Sequence, residues 1–234
     1  MKISVIIPTL NEGQCISKLI DHLKVNGGEL LQEIVVSDAG SSDNTTSLAQ
    51  SAGATTISCS RGRAIQMNDG AAIATGDILY FVHADCFPPP SFAEDICAEI
   101  RKGQQAGCFR FKFNSTKRLL RINAYCTRFK SLMFRGGDQS LFIRRDFFEE
   151  IGKFNESLKI MEDYDLIRRI RKKSSFRIIP RKVIVSARKY DTHNYLVVNL
   201  TNLIVFQMYR LGCSQDRMLK TYYRFLRISS YKPW

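Results

Sequence analysis

The chain has no C-x-x-C pair and no zinc-type spacing, although it carries 7 cysteines. That odd number, together with an N-terminus that runs straight into an apolar stretch without a signal peptide, predicts reduced structural thiols in a cytoplasmic protein. No apolar run is long enough to span a bilayer, so no transmembrane helix is expected. The first strand is not followed by G-x-G-x-x-G, and G-x-x-x-x-G-K is missing, which disfavours a dinucleotide-binding dehydrogenase and a P-loop NTPase. Neither an internal repeat nor a low-complexity linker is present. Basic residues are scarce at the start: residues 1–100 hold 5 Lys and Arg against 12 Asp and Glu, whereas residues 101–234 hold 30 against 10. A basic second half suits nucleic acid, anionic lipid or a phosphorylated acceptor. Its charges are scattered and match no RNA-binding motif, so no nucleic-acid partner is expected.

What is present reads as alternating strands and helices. Length and a 44% hydrophobic content suffice for one large or two small domains with a full core. Residues 2–8, 33–38, 55–58 and 78–82 read as strands. Helices are expected after Asn11, with Gln14 at the capping-box position, after Asp43 with Leu48, Ala49 and Ala52 inward, and from Ala64 through Met67, Ala71 and Ala72. Short connections between such elements imply right-handed crossovers and a mostly parallel sheet. Beyond Pro88-Pro89-Pro90 the reading continues with a helix at Phe92, Ile96 and Ile100 and a half-exposed strand at Phe109, Phe111 and Phe113. A partly helical basic and aromatic stretch covers residues 117–134. A turn at Gly136-Gly137-Asp138, a helix opened by Glu162 and a last strand at residues 183–185 follow, then a helix over residues 195–211 and a basic aromatic tail.

Two strands end in carboxylates, Asp38 and Asp85, and the carboxyl edge of an open α/β sheet is where ligands bind. A carboxylate fixed at a strand end suits magnesium or manganese, because both take oxygen ligands.

Pro8-Thr9-Leu10-Asn11-Glu12, Asp38-Ala39-Gly40-Ser41-Ser42-Asp43, His83-Ala84-Asp85, Gly137-Asp138-Gln139 and Glu162-Asp163 occur in this order. The ordered set resembles the family 2 glycosyltransferases of GT-A fold, over residues 3 to 190. More narrowly, the stretch from Arg61 to Asn68, the His-Ala-Asp form of the metal motif and the basic C-terminal helix resemble a small bacterial group labelled arsenosugar-biosynthesis glycosyltransferases. The resemblance implies a GT-A domain at 1–190, with a donor half at 1–90 and an acceptor half at 91–190. A helical basic extension at 191–234 would pack on or beside it. It also implies transfer of a sugar, with inversion, from a nucleoside diphosphate sugar, UDP-linked, to an unknown acceptor.

In that picture Pro8, Thr9, Leu10 and Glu12 line the base and ribose pocket, Asp38 hydrogen-bonds the base, and Arg61 or Arg63 approaches the base or diphosphate. Asp85 is the ligand for Mg2+ or Mn2+. His83 stands where the family usually has its first metal-motif aspartate and, with Ala84, lines the donor site; a histidine there also suits contact with the ribose or diphosphate. Asp163 is the candidate general base for the acceptor hydroxyl, with Glu162 and Asp138 raising its proton affinity or binding sugar hydroxyls. Since Asp163 opens a helix, the dipole favours its ionised form, so a raised pKa needs burial or a neighbouring carboxylate.

Each piece also has a plain structural reading. Asn11 and Glu12 fit a helix cap, Asp43 fits another, and Glu162, Asp163 and Asp165 fit first-turn acids paired with Arg168 and Arg169. A nucleotide-sugar-binding protein that has lost catalysis and a nucleotidyltransferase are the rival functions. For the helix at residues 195–211, packing on the protein body is expected. The alternative is an in-plane contact with the inner membrane surface, placing Leu196, Val197, Leu200, Leu203, Ile204 and Met208 in the interface and Arg210, Arg217 and Lys220 near headgroups. A homo-oligomer also stays open.

Overall fold

A computed structural model of the chain describes residues 1–226. Among these, eight strands form one sheet: β1 (Ile3–Thr9), β2 (Leu31–Asp38), β3 (Thr55–Ser58), β4 (Ile78–Phe81), β5 (Cys86–Phe87), β6 (Ala106–Phe113), β7 (Leu141–Arg144) and β8 (Phe176–Val185). Their order is β3-β2-β1-β4-β7-β6-β8-β5. The helices are α1 (Ile16–Gly27), α2 (Thr45–Ser51), α3 (Arg63–Ile73), α4 (Phe92–Arg101), α5 (Leu120–Cys126), α6 (Arg145–Glu150), α7 (Glu162–Lys173), α8 (Arg188–Thr192), α9 (Tyr195–Arg210) and α10 (Gln215–Phe225). The α/β fold with a mostly parallel central sheet is therefore present as expected.

The sheet is covered on both faces because its central strands place apolar side chains on each: β4 is apolar at every position, and β1 and β2 bury Val5, Ile6 and Ile7 and Ile34, Val35 and Val36 in succession. Val5, Ile7, Ile78 and Tyr80 pack with α1 and α4 on one side. Ile6, Val35, Leu79 and Phe81 pack with α3, α6 and α7 on the other. The period of two assigns neighbours to opposite faces, and each fully buried large side chain contributes about 1.5–3 kcal/mol. The helix α3 lies so close that a methyl group on Gly70 would sit 2.5 Å from Ser37 Oγ and 2.6 Å from Ile6 Cγ2. Only glycine permits that approach.

Topology places the site. The strands β1, β2 and β3 run parallel, and β4 joins β1 on its other side, also parallel, so the strand order reverses beside β1. The strand β7 is antiparallel to both β4 and β6, and β8 is parallel to β6, so β8 points the same way as β4. The carboxyl ends of β1, β2, β4 and β8 and the start of β7 therefore share one edge. Ligands bind at such an edge, at the point of reversal.

Several local expectations are corrected. Asn11 does not cap α1, whose first turn has no side-chain cap. Instead Asn11 takes a positive φ of 57°, and its Oδ1 accepts from the Ser42 backbone at 2.8 Å, joining the loops after β1 and β2. On α2 the buried positions are Thr45 and Ala49, and Leu48 is exposed. On α3, Ala72 is exposed, while Gln66 and Asn68 are buried. The last strand begins at Phe176, seven residues earlier than its apolar run, because it crosses Pro180 at a register shift opposite Phe109 and Arg110. A bulge is where a strand tolerates proline. The helix α9 does pack on the body, but through Val198, Thr201, Val205 and Phe206, leaving Leu196, Leu200 and Leu203 exposed. The tail forms α10 up to Phe225, and residues 227–234 of the expected extension lie outside the described residues.

Candidate active site

Each strand end at the shared edge presents polar atoms that the sequence orders tightly. Thr9 closes β1 opposite Asp38 in register, and its hydroxyl donates to Asp38 Oδ1 at 3.0 Å. Asp38 Oδ2 accepts from the backbone of Gly40 at 3.0 Å and of Ser41 at 2.8 Å. The Ser41 hydroxyl donates to its Oδ1. Four protein donors thus fill the carboxylate and fix the turn. Gln66 clasps the two strands from α3, donating to the carbonyls of Thr9 at 2.9 Å and Ser37 at 2.8 Å. Pro8 and Leu10 flank Thr9 and are half-buried. Asp43 accepts from the backbone of Gly13 at 3.1 Å and Thr45 at 3.0 Å, tying this loop to the start of α2.

Beyond β4, Ala84 is buried, and Asp85 and Glu12 meet at one guanidinium. Arg188, at the start of α8, reaches Glu12 Oε2 at 3.0 Å and Asp85 Oδ2 at 3.2 Å. Burial raises the pKa of Glu12, and the Arg188 hydrogen bond and charge only partly offset it. For Arg188, burial acts to lower the pKa, but its bonds and charge contacts with Glu12 and Asp85 outweigh that and raise it.

A second cluster surrounds His83. Its Nδ1 is 3.5 Å from Asp138 Oδ1, in the turn before β7. A methyl on Gly137 would fall 2.5 Å from His83 Nε2 and 2.7 Å from Asp163 Oδ2. The absence of a side chain at 137 therefore lets the histidine and the Asp163 carboxylate converge on the turn. Asp163 and Glu162 begin α7 and are 7% and 3% exposed. Burial first, and the adjacent Glu162 second, push Asp163 up to about 6. Both conditions needed to overcome the helix dipole are present. The Asp138 side chain is 57% exposed; partial desolvation beside the cleft acts to raise it, but its hydrogen bond and charge contact with His83, and then Arg63, bring it below the usual carboxylate range. Arg63 Nη1 pairs with Glu162 Oε1 at 3.3 Å. Although burial opposes its charge, Glu162, Asp163 and Asp138 raise the Arg63 pKa.

The backbone is unusual here too. Four non-glycine residues have positive φ among those described: Asn11, Ser140, Lys153 and Met161. Three of them stand beside Glu12, the Gly137–Gln139 turn and Glu162. Such conformations cost about 1–3 kcal/mol each and persist where surrounding contacts enforce them, commonly at functional sites.

Of the sequence candidates, then, Thr9, Glu12, Asp38, Arg63, His83, Asp85, Asp138, Glu162 and Asp163 sit at one edge. Arg61 is exposed ahead of α3 and forms no ion pair among the described residues. Arg188 was missed. It lies three residues beyond Val185, so the rule that strand ends supply site residues, applied to the last strand, would have found it. Gln66 was hidden inside a run of helix-forming residues.

The sequence model of Glycosyl transferase family 2 matches residues 4–154. The chain belongs to this family. Glucosyl-3-phosphoglycerate synthase of Mycolicibacterium smegmatis is 32% identical over 108 residues, which are 42% of this chain and 36% of that protein. The Mycobacterium tuberculosis protein of the same name is 30% identical over 112 residues, 44% of this chain and 35% of its own. The match thus spans about a third of the length of these curated relatives. Among solved structures, glucosyl-3-phosphoglycerate synthase from M. tuberculosis in complex with Mn2+, UDP and glucosyl-3-phosphoglycerate has a TM-score of 0.65 at 19% identity. It covers 91% of this chain and 80% of that one. S. aureus TarS 1–349 in complex with UDP-GlcNAc has a TM-score of 0.66 at 17% identity, covering 97% and 72%. These likenesses show the GT-A fold.

Proposed function

We propose that the protein is an inverting glycosyltransferase that moves a sugar from a UDP-linked donor to an acceptor hydroxyl, with Asp163 as general base. The observation that carries this reading is the nearly buried Asp163 carboxylate, raised to about 6, converging with His83 on Gly137 at the ligand edge of the sheet. A base of that pKa is mostly ionised at neutral pH and still takes a proton readily. The mycobacterial and S. aureus structures that share the fold hold UDP or UDP-GlcNAc, which supports a uridine donor.

Residues 1–90 form the donor half, residues 91–190 the acceptor half, and residues 191–234 a basic extension. Thr9 and Asp38 receive the base, with the Ser41 hydroxyl giving up its bond to Asp38 so that the uracil N–H can donate there. Pro8, Leu10 and Glu12 line the base and ribose. Arg63 and Arg188 face the diphosphate, where fixed guanidinium groups meet the negative charge that builds on the leaving group. Ala84 leaves room beside the donor, and Glu162 and Asp138 bind sugar hydroxyls or sustain the raised pKa of Asp163. Arg61, exposed in the loop between β3 and α3, serves the donor at the rim. Of the stretch that carries the narrower resemblance to arsenosugar-biosynthesis enzymes, Gln66 and Asn68 serve the scaffold, and Arg63 serves the cleft.

The residues fit a hard divalent cation at Asp85. Glu12 and Asp85 already gather one positive group, the Arg188 guanidinium, and their oxygens suit Mg2+ or Mn2+. His83, Cys86 and Asp138 also approach within 4.8 Å of one another. That set does not fit, since burial holds the Cys86 thiol well above its usual range and a protonated thiol is a poor ligand for these ions. Asp85 would hold the cation, which supplies neutralisation of the leaving diphosphate.

Replacement of Asp163 by Asn tests the reading. Transfer should fall at least about 100-fold, with UDP-sugar affinity changed by no more than about twofold. The product anomer, read by proton NMR, should be inverted relative to the donor. Full turnover in Asp163→Asn removes that residue as base, and a retained anomer contradicts the mechanism.

A further inference from the structure

We propose that the face built by α5, α9, β6 and β8 is a docking surface for a bilayer of anionic phospholipid. Two observations carry it, and neither uses the donor site. The first is apolar. Leu119, Ile122 and Phe129, on and beside α5, are 52%, 53% and 45% exposed. Leu196, Leu200 and Leu203 on α9 are 70%, 55% and 41% exposed. The two helices are tied side by side at Asn123, which donates to Asn199 Oδ1 at 2.8 Å and accepts from the Tyr195 hydroxyl at 2.8 Å. Leucines at i, i+4 and i+7 form one stripe, and α9 turns that stripe to solvent while burying the opposite one. An apolar surface of this kind marks an interaction site.

The second observation is charge. A cleft of about 350 Å³ opens beside α5, and its charged lining is wholly basic: Arg110, Lys112, Lys117, Arg121, Arg128 and Lys182. Among the described residues only Lys117 of these six has an ion pair, with Asp191. The Nε of Arg110 is buried without a hydrogen-bond acceptor. The Arg128 guanidinium stacks 3.6 Å above the Tyr125 ring, which holds its charge at the cleft instead of at an acid.

Charge complementarity selects the occupant. A phosphodiester headgroup supplies negative charge to the cationic groups of the cleft that have no ion pair, and its acyl region continues onto the exposed leucines. A nucleic acid would match the cleft and leave the apolar side chains in water. A second copy would cover those side chains while bringing two basic clefts together. Among the described residues no helix is long and apolar enough to cross a membrane, so the contact lies in the plane of the interface.

The test is flotation of the full chain with phosphatidylcholine vesicles and with vesicles containing roughly one third phosphatidylglycerol, at about 0.02 M and about 0.15 M salt. The wild-type chain should float with the anionic vesicles only, and less at the higher salt. Arg121→Glu with Arg128→Glu should lower partitioning by about tenfold or more. Ile122→Asp with Leu200→Asp should abolish it at both salts. All four side chains are exposed, so circular-dichroism melting should match wild type in each variant. Failure of the wild type to bind anionic vesicles at low salt overturns the proposal. So does full binding by the Ile122→Asp, Leu200→Asp variant, which would leave a free anion site alone. A dimer in sedimentation equilibrium that Leu200→Asp breaks, with no vesicle binding, would assign the face to a second copy.

Discussion

The strands β1, β2 and β4 bring their side chains to the ligand edge by parallel pairing and burial on both faces. In contrast, β6, β7 and β8 reach the same edge through mixed pairing, a bulge at Pro180 and strands that are apolar only in part. The first arrangement is closely packed on both faces, and it ends in Asp38 and Asp85. The second contributes Asp138 from the turn before β7, Arg188 after β8 and, through α7, Glu162 and Asp163. A cleft built between them can hold a donor on the closely packed side and let the other side determine what attacks it.

If the two sides divide the work in this way, substitutions should separate by readout. The largest effect is expected at their junction. Gly137→Ala would drive a methyl into His83 and Asp163, and a displacement of about 1 Å at such groups can cost 100-fold in rate. Turnover at saturating donor should fall by about that factor, with little change in melting temperature. Unchanged turnover would mean that His83 and Asp163 need not converge. Next, Asp85→Ala should weaken UDP affinity by about 10- to 100-fold in the presence of manganese, the worth of one charged contact, and much less in a chelator. Equal losses in both conditions would detach Asp85 from the cation.

Gly70→Ala probes the closely packed side alone. The added methyl overpacks Ile6 and Ser37, and urea denaturation should show a loss of about 1–3 kcal/mol. A neutral result would show that α3 can move away from β1. The smallest expected effect is in pH. Asp163 must be ionised to accept a proton, so kcat/KM should be level above its pKa of about 6 and fall as pH drops below it. The fall is about tenfold per unit, and the limb should vanish in the residual activity of Asp163→Asn. A limb that persists in that variant belongs to another group.

The same division explains what the sequence made legible. Residues 78–82 read as a buried strand because every position is apolar, and the carboxylates that follow such strands mark the ligand edge without further information. The stretch at Phe176–Val185 could not be read that way: Arg177, Pro180, Arg181 and Lys182 interrupt it, and its pairing with β6 depends on a bulge set by tertiary context. Asn11 was misread because a helix cap and a loop-to-loop bridge use the same side chain, and only the position of Ser42 distinguishes them. Arg188 lies 176 residues from Glu12, so no local pattern could pair them. The α9 periodicity was legible, yet its register on the body was not, since both of its stripes are apolar.

The central claim is that the edge shared by β1, β2 and β4 is a metal-assisted uridine diphosphate site, and calorimetric titration of UDP into the purified chain tests it most directly. With manganese present, saturable one-to-one binding is expected, and a chelator should weaken it by about 10- to 100-fold. Absence of binding with manganese present, or binding of equal strength in both conditions, would contradict the assignment of this edge.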